Sequence, residues 1–263
     1  MKKLFAVLVM LAVFASSSSA EVVGTLGLAV GPAQVKDALL ASVVDAGLEP
    51  ENVSIKLYDS LMLMQLALNR GEIGALAAPE NVGEYMLRNN PACSLRGFML
   101  LKRPVATAFG FMEEKAELCA RFSKAVQDME TEGKIGLLAR DYITGPAAQN
   151  PPAVKFEEFD GAETLTVAVT GDMPPIDYVG ADGEPSGFNT AILAEIGRRL
   201  HVNIKTVTVD TASRVAALKS GRADVVFWLQ IFEGYDVQPD VPEGIITSTP
   251  YYGWNKVMLI GRK

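Results

Sequence analysis

Apolar and polar residues follow one another along the chain in an order that occurs twice. The apolar runs Thr25–Val30 and Thr164–Val169 predict short buried strands. Helix-like stretches begin at Ala33 and Phe188, and each is followed by a segment rich in β-branched residues, at 52–60 and 202–210. In the second helix, the apolar residues share one face at helical spacing: Phe188, Ile192, Leu193, Ile196 and Leu200.

The clearest repeat is a predicted helix end, a glycine and a third strand. "LALNRGEIGALAAP" (Leu66–Pro79) aligns without a gap with "AALKSGRADVVFWL" (Ala216–Leu229), at an offset of 150 residues. Gly71 and Gly221 stand where a helix ends in a positive φ, which glycine adopts without strain. Each half therefore predicts β-α-β-α-β, the order of an α/β fold whose sheet is mostly parallel and flanked by helices. Two such lobes favour a ligand site at the carboxyl ends of the strands, although duplication for stability alone stays open.

The first 20 residues have the features of a cleavable secretory signal. Lys2 and Lys3 precede the apolar run Leu4–Ala15, and small residues end at Ala20. The run is too short to span a bilayer, which argues against a membrane anchor. Cleavage removes two lysines and no acid, so the net charge falls from −7 to −9. An acidic mature chain of this kind is a poor partner for nucleic acid or anionic membranes.

Few residues offer catalytic or metal chemistry. Cys93 and Cys119 are the only cysteines, and they either pair in an oxidising compartment or remain two buried thiols. His201 is the only histidine and stands at a predicted helix end, which favours a structural role. Zinc-ligand spacing, phosphate-binding loops and nucleophile motifs are all missing from the sequence. We therefore predict no cofactor, no metal site and no catalytic residue, and expect a protein that is not an enzyme.

Several motifs in register carry a specific resemblance. Between Glu163 and Gln230 the chain contains a strand, "DMPP", "DGEPSGF" running into a helix, and "LKSGRAD", and the end "TSTPYYGWNKVMLIGRK" (Thr247–Lys263) follows them. These segments resemble the first lobe of bacterial extracellular solute-binding proteins, family 3. The resemblance implies a two-lobed type II periplasmic-binding-protein-like fold that closes on a small polar solute in the periplasm. It also implies delivery to an ABC importer, with a monomer expected and an exchanged dimer left open.

The order of the lobes differs from the family's usual order. The segments "LGLAVGPAQVKDAL", "NRGEIGALAAPENVGEYMLRNNP" and Thr107–Ile143 resemble parts of the family's second lobe and its return helices, yet they come first in the chain. We therefore expect a circular permutation, although two tandem receptors, one of them decayed, are an alternative. The expected organisation is a signal at 1–20, a lobe 2-like domain at 21–103, return elements at 104–144, a Pro-rich linker at 145–163 and a lobe 1-like domain at 164–263.

Both groups that hold an amino acid in this family are altered. The family's "G-M-T-x-T-x-x-R" loop, whose Arg holds the solute carboxylate, is replaced by Trp228–Gly244, which contains neither Arg nor Lys. The acid of lobe 2 that receives the amino group aligns with Pro79. Aromatic and carboxylate residues that remain near the expected cleft favour an amine-bearing or cationic solute. The candidate ligand-binding residues are Asp172, Tyr178, Trp228, Gln230, Gln34, Glu80 and Asn81, with Asp177 nearby. Two other functions stay open: a ligand-free interaction or sensor protein on the same fold, and a dehydratase-type enzyme that uses Glu80 or Asp172 as its acid.

Overall fold

The computed structural model describes residues 21–26, 53–180, 183–234, 238 and 240–263. The predicted signal Met1–Ala20, the predicted helix from Ala33 and the candidate residue Gln34 lie outside the described residues. The chain divides into two compact units. Among the described residues, unit 1 contains 21–26, 53–104 and 254–263, and unit 2 contains those from 105 to 253.

Unit 1 is built on a sheet with the strand order β2-β1-β3-β12-β4. The central strands are parallel, since β1 pairs in parallel with both β2 and β3, whereas β12 is antiparallel to β3. Residues 254–263 lie in this unit because β12 pairs with β3. The elements are, in chain order, β1 (Glu21–Leu26), β2 (Val53–Tyr58), α1 (Leu61–Arg70), β3 (Ala75–Pro79), α2 (Glu80–Asn89), the first part of β4 (Cys93–Met112) and most of β12 (Tyr252–Arg262).

Unit 2 repeats this arrangement with the strand order β4-β10-β5-β9, and β11 also pairs with β4. Here β5 is parallel to β9 and β10, and β4 is antiparallel to β10. A second sheet has three short strands in the order β6-β7-β8. The strands are β5 (Thr164–Val169), β6 (Asp172–Met173), β7 (Asp177–Val179), β8 (Pro185–Ser186), β9 (Asn203–Thr208), β10 (Val225–Phe232) and β11 (Ile245–Thr247).

The helices of unit 2 flank this sheet. They are α3 (Ala116–Thr131), α4 (Lys134–Ala139), α5 (Phe188–Leu200) and α6 (Arg214–Lys219), with 3₁₀ turns at Glu113–Lys115, Pro146–Gln149 and Thr211–Ser213 and a π-helical turn at Arg140–Thr144. The predicted α/β class, with a mostly parallel sheet in each half, is confirmed. None of the described helices is long and apolar enough to span a membrane.

The repeat found in the sequence has the same hydrogen bond at both of its glycines. After α1 the N–H of Gly71 donates to the carbonyl of Leu68 at 3.0 Å, and after α6 the N–H of Gly221 donates to the carbonyl of Leu218 at 2.9 Å. Both glycines have positive φ, 74° and 70°. The predicted helix ends are therefore confirmed, because glycine closes each helix in a conformation that side chains disfavour.

The strand that follows each glycine also begins in the same way. The N–H of Gly74 donates to Val22 of β1 at 2.9 Å, and that of Asp224 donates to Thr166 of β5 at 2.8 Å. Each bond starts a parallel pair between the third and first strands of its unit. The repeated sequence thus produces one repeated supersecondary structure, once in each unit.

The apolar face predicted for α5 is confirmed over most of its length. Its buried apolar residues are Phe188, Ala191, Ile192, Leu193 and Ile196, whereas Leu200 is only half-buried. Elsewhere in unit 2, Phe109 and Phe111 both make edge-on contacts with Phe122, with ring centroids 5.3 and 5.1 Å apart. Edge-on pairs of this kind stabilise a core beyond the area that they bury.

The Pro-rich segment 145–163 has no strand and only one short 3₁₀ turn. The structure holds part of this segment on unit 2. Asn203 exchanges two hydrogen bonds with the backbone of Phe159, at 2.8 and 3.1 Å, and the Phe159 ring lies 4.2 Å from that of His201. The amide side chain supplies both the donor and the acceptor that an isolated loop backbone lacks. His201 itself ends α5 with a φ of 54°, in keeping with the structural role predicted for it.

Candidate functional site

The strand β10 of unit 2 contains a bulge at the position where the sequence predicted a functional residue. Its pairing with β4 shifts register between Val226 and Leu229, which face Gly110 and Ala108. Trp228 lies within this shift and has a φ of 58°, one of two positive φ values at described residues other than glycine. A bulge inserts one extra residue and turns backbone groups out of the ladder. The backbone of Phe227 and Trp228 is therefore free to bond outside the sheet.

Arg214, the first residue of α6, binds the backbone carbonyls of this bulge. Its side chain is 1% exposed and donates through Nη1 to the carbonyls of Phe227, at 3.2 Å, and Trp228. Its Nε donates to the carbonyl of Thr211 at 2.9 Å. The guanidinium group thus fixes the bulge from the helix side, using three of its five N–H donors on backbone carbonyls.

The remaining two donors of Arg214 bind a carboxylate of the same chain. Nη2 lies 3.1 Å from both carboxylate oxygens of Asp240, which is 0% exposed. The same carboxylate accepts the backbone N–H of Gln230 at 2.8 Å. Charge-paired, hydrogen-bonded groups of this kind are the form in which buried charges persist. We call Arg214, Asp240 and the N–H of Gln230 the guanidinium site.

A second buried polar cluster of unit 2 is centred on Tyr251. Its hydroxyl donates to Oδ1 of Asn189 at 3.1 Å, and its backbone N–H donates to the carbonyl of Thr107 at 2.9 Å. Burial raises the pKa of the Tyr251 hydroxyl well above its usual value, and the charge of Asp177 acts in the same direction. The phenol is therefore held neutral as a hydrogen-bonding group.

Asp177 belongs to the short strand β7 and is 1% exposed. One carboxylate oxygen accepts the N–H and the hydroxyl of Thr170, at 2.7 and 2.9 Å. Among the residues that the structure describes, the other oxygen, Oδ1, has no hydrogen-bond partner, and neither has Nδ2 of Asn189. Burial raises the pKa of Asp177 to about 6, a shift that the bonds from Thr170 oppose and the nearby charge of Asp172 increases. Asp177 thus keeps its proton to a higher pH than an exposed aspartate does.

Four of the candidate residues predicted from the sequence lie in unit 2. Asp172 and Tyr178 are directly opposite each other in the β6–β7 pair, and both are half-buried. Trp228 and Gln230 lie on β10, where the Trp228 side chain is 2% exposed and Gln230 is half-buried. The structure therefore brings Asp172 and Tyr178 together, and it places Trp228 inside the unit rather than on an open surface.

Glu80 and Asn81 lie in unit 1, at the start of α2. The carboxylate of Glu80 accepts from Nζ of Lys256 at 2.6 Å. Asn81 is 5% exposed, and its Oδ1 accepts the N–H of Val82 at 2.8 Å. Both side chains thus already have partners within their own unit. Cys93 and Cys119 are buried free thiols, the second of the two alternatives that the sequence left open.

Sequence reasoning missed the guanidinium site, although the repeat contains a signal for it. At the offset of 150 residues, Arg214 aligns with Met64 of α1, which is fully buried. An arginine in place of a buried methionine requires a carboxylate partner, since an unpaired buried charge is strongly unfavourable. In the described part of the chain, no group of three His, Cys, Asp or Glu side chains could hold a metal ion.

Comparison with known proteins matches part of the chain to a family. Residues 165–262, less than half of the chain, match the model of "Bacterial extracellular solute-binding proteins, family 3". A search of curated proteins found no match.

Solved structures of low sequence identity are also similar to this chain. The ligand-binding component of an ABC-type import system from Staphylococcus aureus, with zinc bound, is 9% identical with a TM-score of 0.46, over 93% of this chain and 66% of that one. The periplasmic aliphatic sulphonate binding protein SsuA from Escherichia coli is 15% identical with a TM-score of 0.42, over 94% and 66%. The GluR0 ligand-binding core from Nostoc punctiforme, in complex with L-glutamate, is 10% identical with a TM-score of 0.39, over 92% and 85%.

The chain thus spans just under two thirds of the length of the first two of these proteins. The resemblance predicted from the motifs is confirmed for residues 165–262, which match the model of bacterial extracellular solute-binding proteins, family 3.

Proposed function

We propose that this protein is a periplasmic solute-binding protein that binds a small polar solute and delivers it to an ABC importer. The observation that carries the proposal is the family match over residues 165–262. That range includes β5, the small β6-β7-β8 sheet, α5, β9, α6 and β10, which form one supersecondary repeat with its own buried polar clusters. The matching family consists of binding proteins, so we propose binding rather than catalysis.

The charges of unit 2 favour a solute that is not anchored by a carboxylate. The segment Trp228–Gly244 contains no Arg or Lys. Arg214 lies beside it, but all five of its N–H donors already have acceptors within the unit. A solute carboxylate would have to displace Asp240 to use this guanidinium, which is unfavourable because Asp240 would then lose its buried partner.

The same unit offers acids and an aromatic ring. Asp172 and Tyr178 form a cross-strand pair on the small sheet. A carboxylate beside an aromatic face suits an ammonium group, through a charge-assisted hydrogen bond and a cation–π contact. We therefore propose an amine-bearing solute, with Asp172 and Tyr178 as its contacts in unit 2. Trp228 and Gln230, the other two candidate contacts in unit 2, lie on β10 at and beside its bulge.

We also infer that the chain is circularly permuted relative to its family. The family match lies in the C-terminal part of the chain, and the unit with the same repeat precedes it. Residues 254–263 then enter unit 1 through β12, which pairs with β3. This order agrees with a second lobe that comes first and is completed by the end of the chain.

Thermal unfolding of residues 21–263 against amino acids, monoamines, polyamines and small organic acids tests the function. A ligand at about one hundred times its dissociation constant stabilises the fold by roughly 2.7 kcal/mol, which raises the midpoint by a few degrees for a chain of this length. We expect shifts with amines that Asp172→Asn abolishes and that Glu117→Gln, an exposed acid on α3, leaves unchanged.

The other outcomes of that experiment are equally informative. Shifts confined to organic acids contradict the proposed solute class. The ligand-free interaction protein gains support instead if the folded, ligand-free chain shows no shift with any compound.

A further inference from the structure

The guanidinium site has the donor set of a carboxylate-binding site. Two N–H bonds from one nitrogen of Arg214 and one backbone N–H from Gln230 converge on the carboxylate of Asp240 at 3.1, 3.1 and 2.8 Å. Arginine and backbone N–H groups recognise carboxylates in this way because their donors match the lone pairs of the two oxygens. Both charged side chains are at most 1% exposed.

We propose that Asp240 is an internal occupant of a carboxylate-binding site, and that its side chain excludes free small carboxylates from Arg214. Asp240 lies 26 residues after Arg214 in the sequence, so the carboxylate that fills the site comes from a separate segment of the chain. Removal of its side chain leaves a cavity lined by the guanidinium group and the Gln230 N–H. The ligand class of the emptied site is a small monocarboxylate.

The arrangement in unit 1 supports a special role for the pair. At the position equivalent to Arg214, unit 1 has the buried Met64. An apolar side chain thus suffices for the helix to pack on the sheet in one copy of the repeat. The charged pair in unit 2 is therefore an addition to the packing that the repeat requires, and it fixes the backbone of the β10 bulge at Trp228.

This inference bears on solute choice only through the proposed function, because an occupied Arg214 cannot anchor a carboxylate solute. The site itself can be tested without any knowledge of the solute. Asp240→Gly removes a methylene and a carboxylate group, which together have the size of acetate. Asp240→Ala keeps the Cβ atom and removes only the carboxylate group, which has the size of formate. Each variant is therefore matched to one anion by size.

The experiment measures thermal unfolding midpoints of residues 21–263 in graded sodium acetate or formate, with sodium chloride keeping the ionic strength constant. Asp240→Gly is expected to unfold at a lower temperature than the wild type, because Arg214 loses its buried partner. Acetate should restore its midpoint by several degrees, more than formate does, and formate should be the better anion for Asp240→Ala. The wild type, whose site is filled, should respond to neither anion beyond the chloride effect.

Two controls separate carboxylate binding from a general salt effect. Acetamide has nearly the same shape as acetate without the charge, and it should not restore Asp240→Gly. The double variant Arg214→Met with Asp240→Gly copies the Met64 of unit 1 and should be insensitive to acetate. The proposal is overturned if acetate acts equally on the wild type and Asp240→Gly, or if the double variant responds as the single variant does.

A variant that is unfolded in chloride still gives a result. Circular dichroism then follows folding as acetate is added to Asp240→Gly, or formate to Asp240→Ala, and the proposal requires that helix content returns. If it does not return for either matched pair, the proposal is wrong. A failed search for the natural solute leaves all of these outcomes intact, so the proposed function and this inference can fail separately.

Discussion

Thr170 donates two hydrogen bonds to one carboxylate oxygen of Asp177, from its N–H and its hydroxyl. The other oxygen is buried and has no hydrogen-bond partner in the described part of the chain. The protein therefore provides hydrogen bonds from Thr170 to one oxygen of this carboxylate and none from Thr170 to the other oxygen. Burial prevails over the two bonds, and the pKa of Asp177 is raised to about 6 from an ordinary 3.8.

This imbalance predicts that Asp177 destabilises the fold as the pH rises. Between the unfolded and folded pKa values the folded chain binds more protons, so the free energy of unfolding falls with increasing pH and levels off above about 6. The full effect of a shift of this size is about 3 kcal/mol. The free energy of unfolding can be measured with urea at about pH 4 and about pH 7 for the wild type and for Asp177→Asn. Between these two pH values it should fall more for the wild type than for the variant.

Asp172→Asn is the matched control for Asp177. The charge of Asp172 contributes to the raised pKa of Asp177. Asp172→Asn should therefore lower the pH range over which the fold loses stability, but it should not abolish that loss. Glu132 and Glu195 have lowered pKa values because of their arginine partners. In every variant they make the free energy of unfolding rise with pH, which is opposite to the effect of Asp177. A difference between wild type and Asp177→Asn that is the same at all pH values would contradict an unsolvated Asp177.

The two glycines of β4 predict opposite outcomes for the same substitution. A Cβ at Gly110 would collide with Leu229 and lie 3.0 Å from Cγ2 of Val226, the two residues on either side of the bulge. A Cβ at Gly97 meets no atom of the described residues within 4 Å. Gly110→Ala should therefore cost about 1–3 kcal/mol through overpacking, and Gly97→Ala should be near neutral or slightly stabilising.

Denaturant unfolding of the two alanine variants measures this difference. A loss confined to Gly110→Ala shows that β4 and the bulge of β10 need close backbone approach. Equal effects at both positions would mean that the bulge can move aside, and would weaken the role given to the guanidinium group in fixing it.

The repeated glycines predict equal effects in the two units. Gly71 and Gly221 both have positive φ, and at either position an added Cβ meets no atom within 4 Å in the part of the chain that the structure describes. Alanine at each should then cost roughly 1 kcal/mol from backbone strain alone. Gly136 lies inside α4 and also has open space, so Gly136→Ala should instead stabilise by about 0.5–1 kcal/mol.

Unfolding midpoints of the three alanine variants separate backbone conformation from side-chain contact, because none of the new methyl groups contacts another described residue. Destabilisation at Gly136, or a large inequality between Gly71 and Gly221, would show that the two copies of the repeat are not equivalent.

What the sequence could predict follows from how local each interaction is. The helix ends at Gly71 and Gly221 depend on residues three positions away, so the repeat alone was sufficient to predict them. The pairs Arg214–Asp240 and Asn189–Tyr251 join residues 26 and 62 positions apart, so the repeat can indicate Arg214 but not the partner that either pair requires. The bulge at Trp228 was missed for a different reason. Tryptophan rarely adopts positive φ, and here the tertiary contacts of its backbone outweigh that preference.

The two cysteines should be unreactive in the folded protein. Cys93 and Cys119 are 5% and 7% exposed, and burial raises the pKa of both thiols. A thiolate is the reactive species, so a buried thiol with a raised pKa alkylates slowly near neutral pH. Iodoacetamide labelling followed by mass spectrometry should show little modification in buffer and two modified cysteines in denaturant.

The site-by-site result distinguishes buried thiols from a bridge. A Cys93–Cys119 disulfide would block labelling in denaturant until a reductant is added, which would contradict the free thiols of the structure. Cys119→Ser provides the control, because it leaves one thiol and makes a bridge within the chain impossible. If that variant and the wild type label Cys93 at the same slow rate in buffer and the same fast rate in denaturant, burial alone protects the thiol.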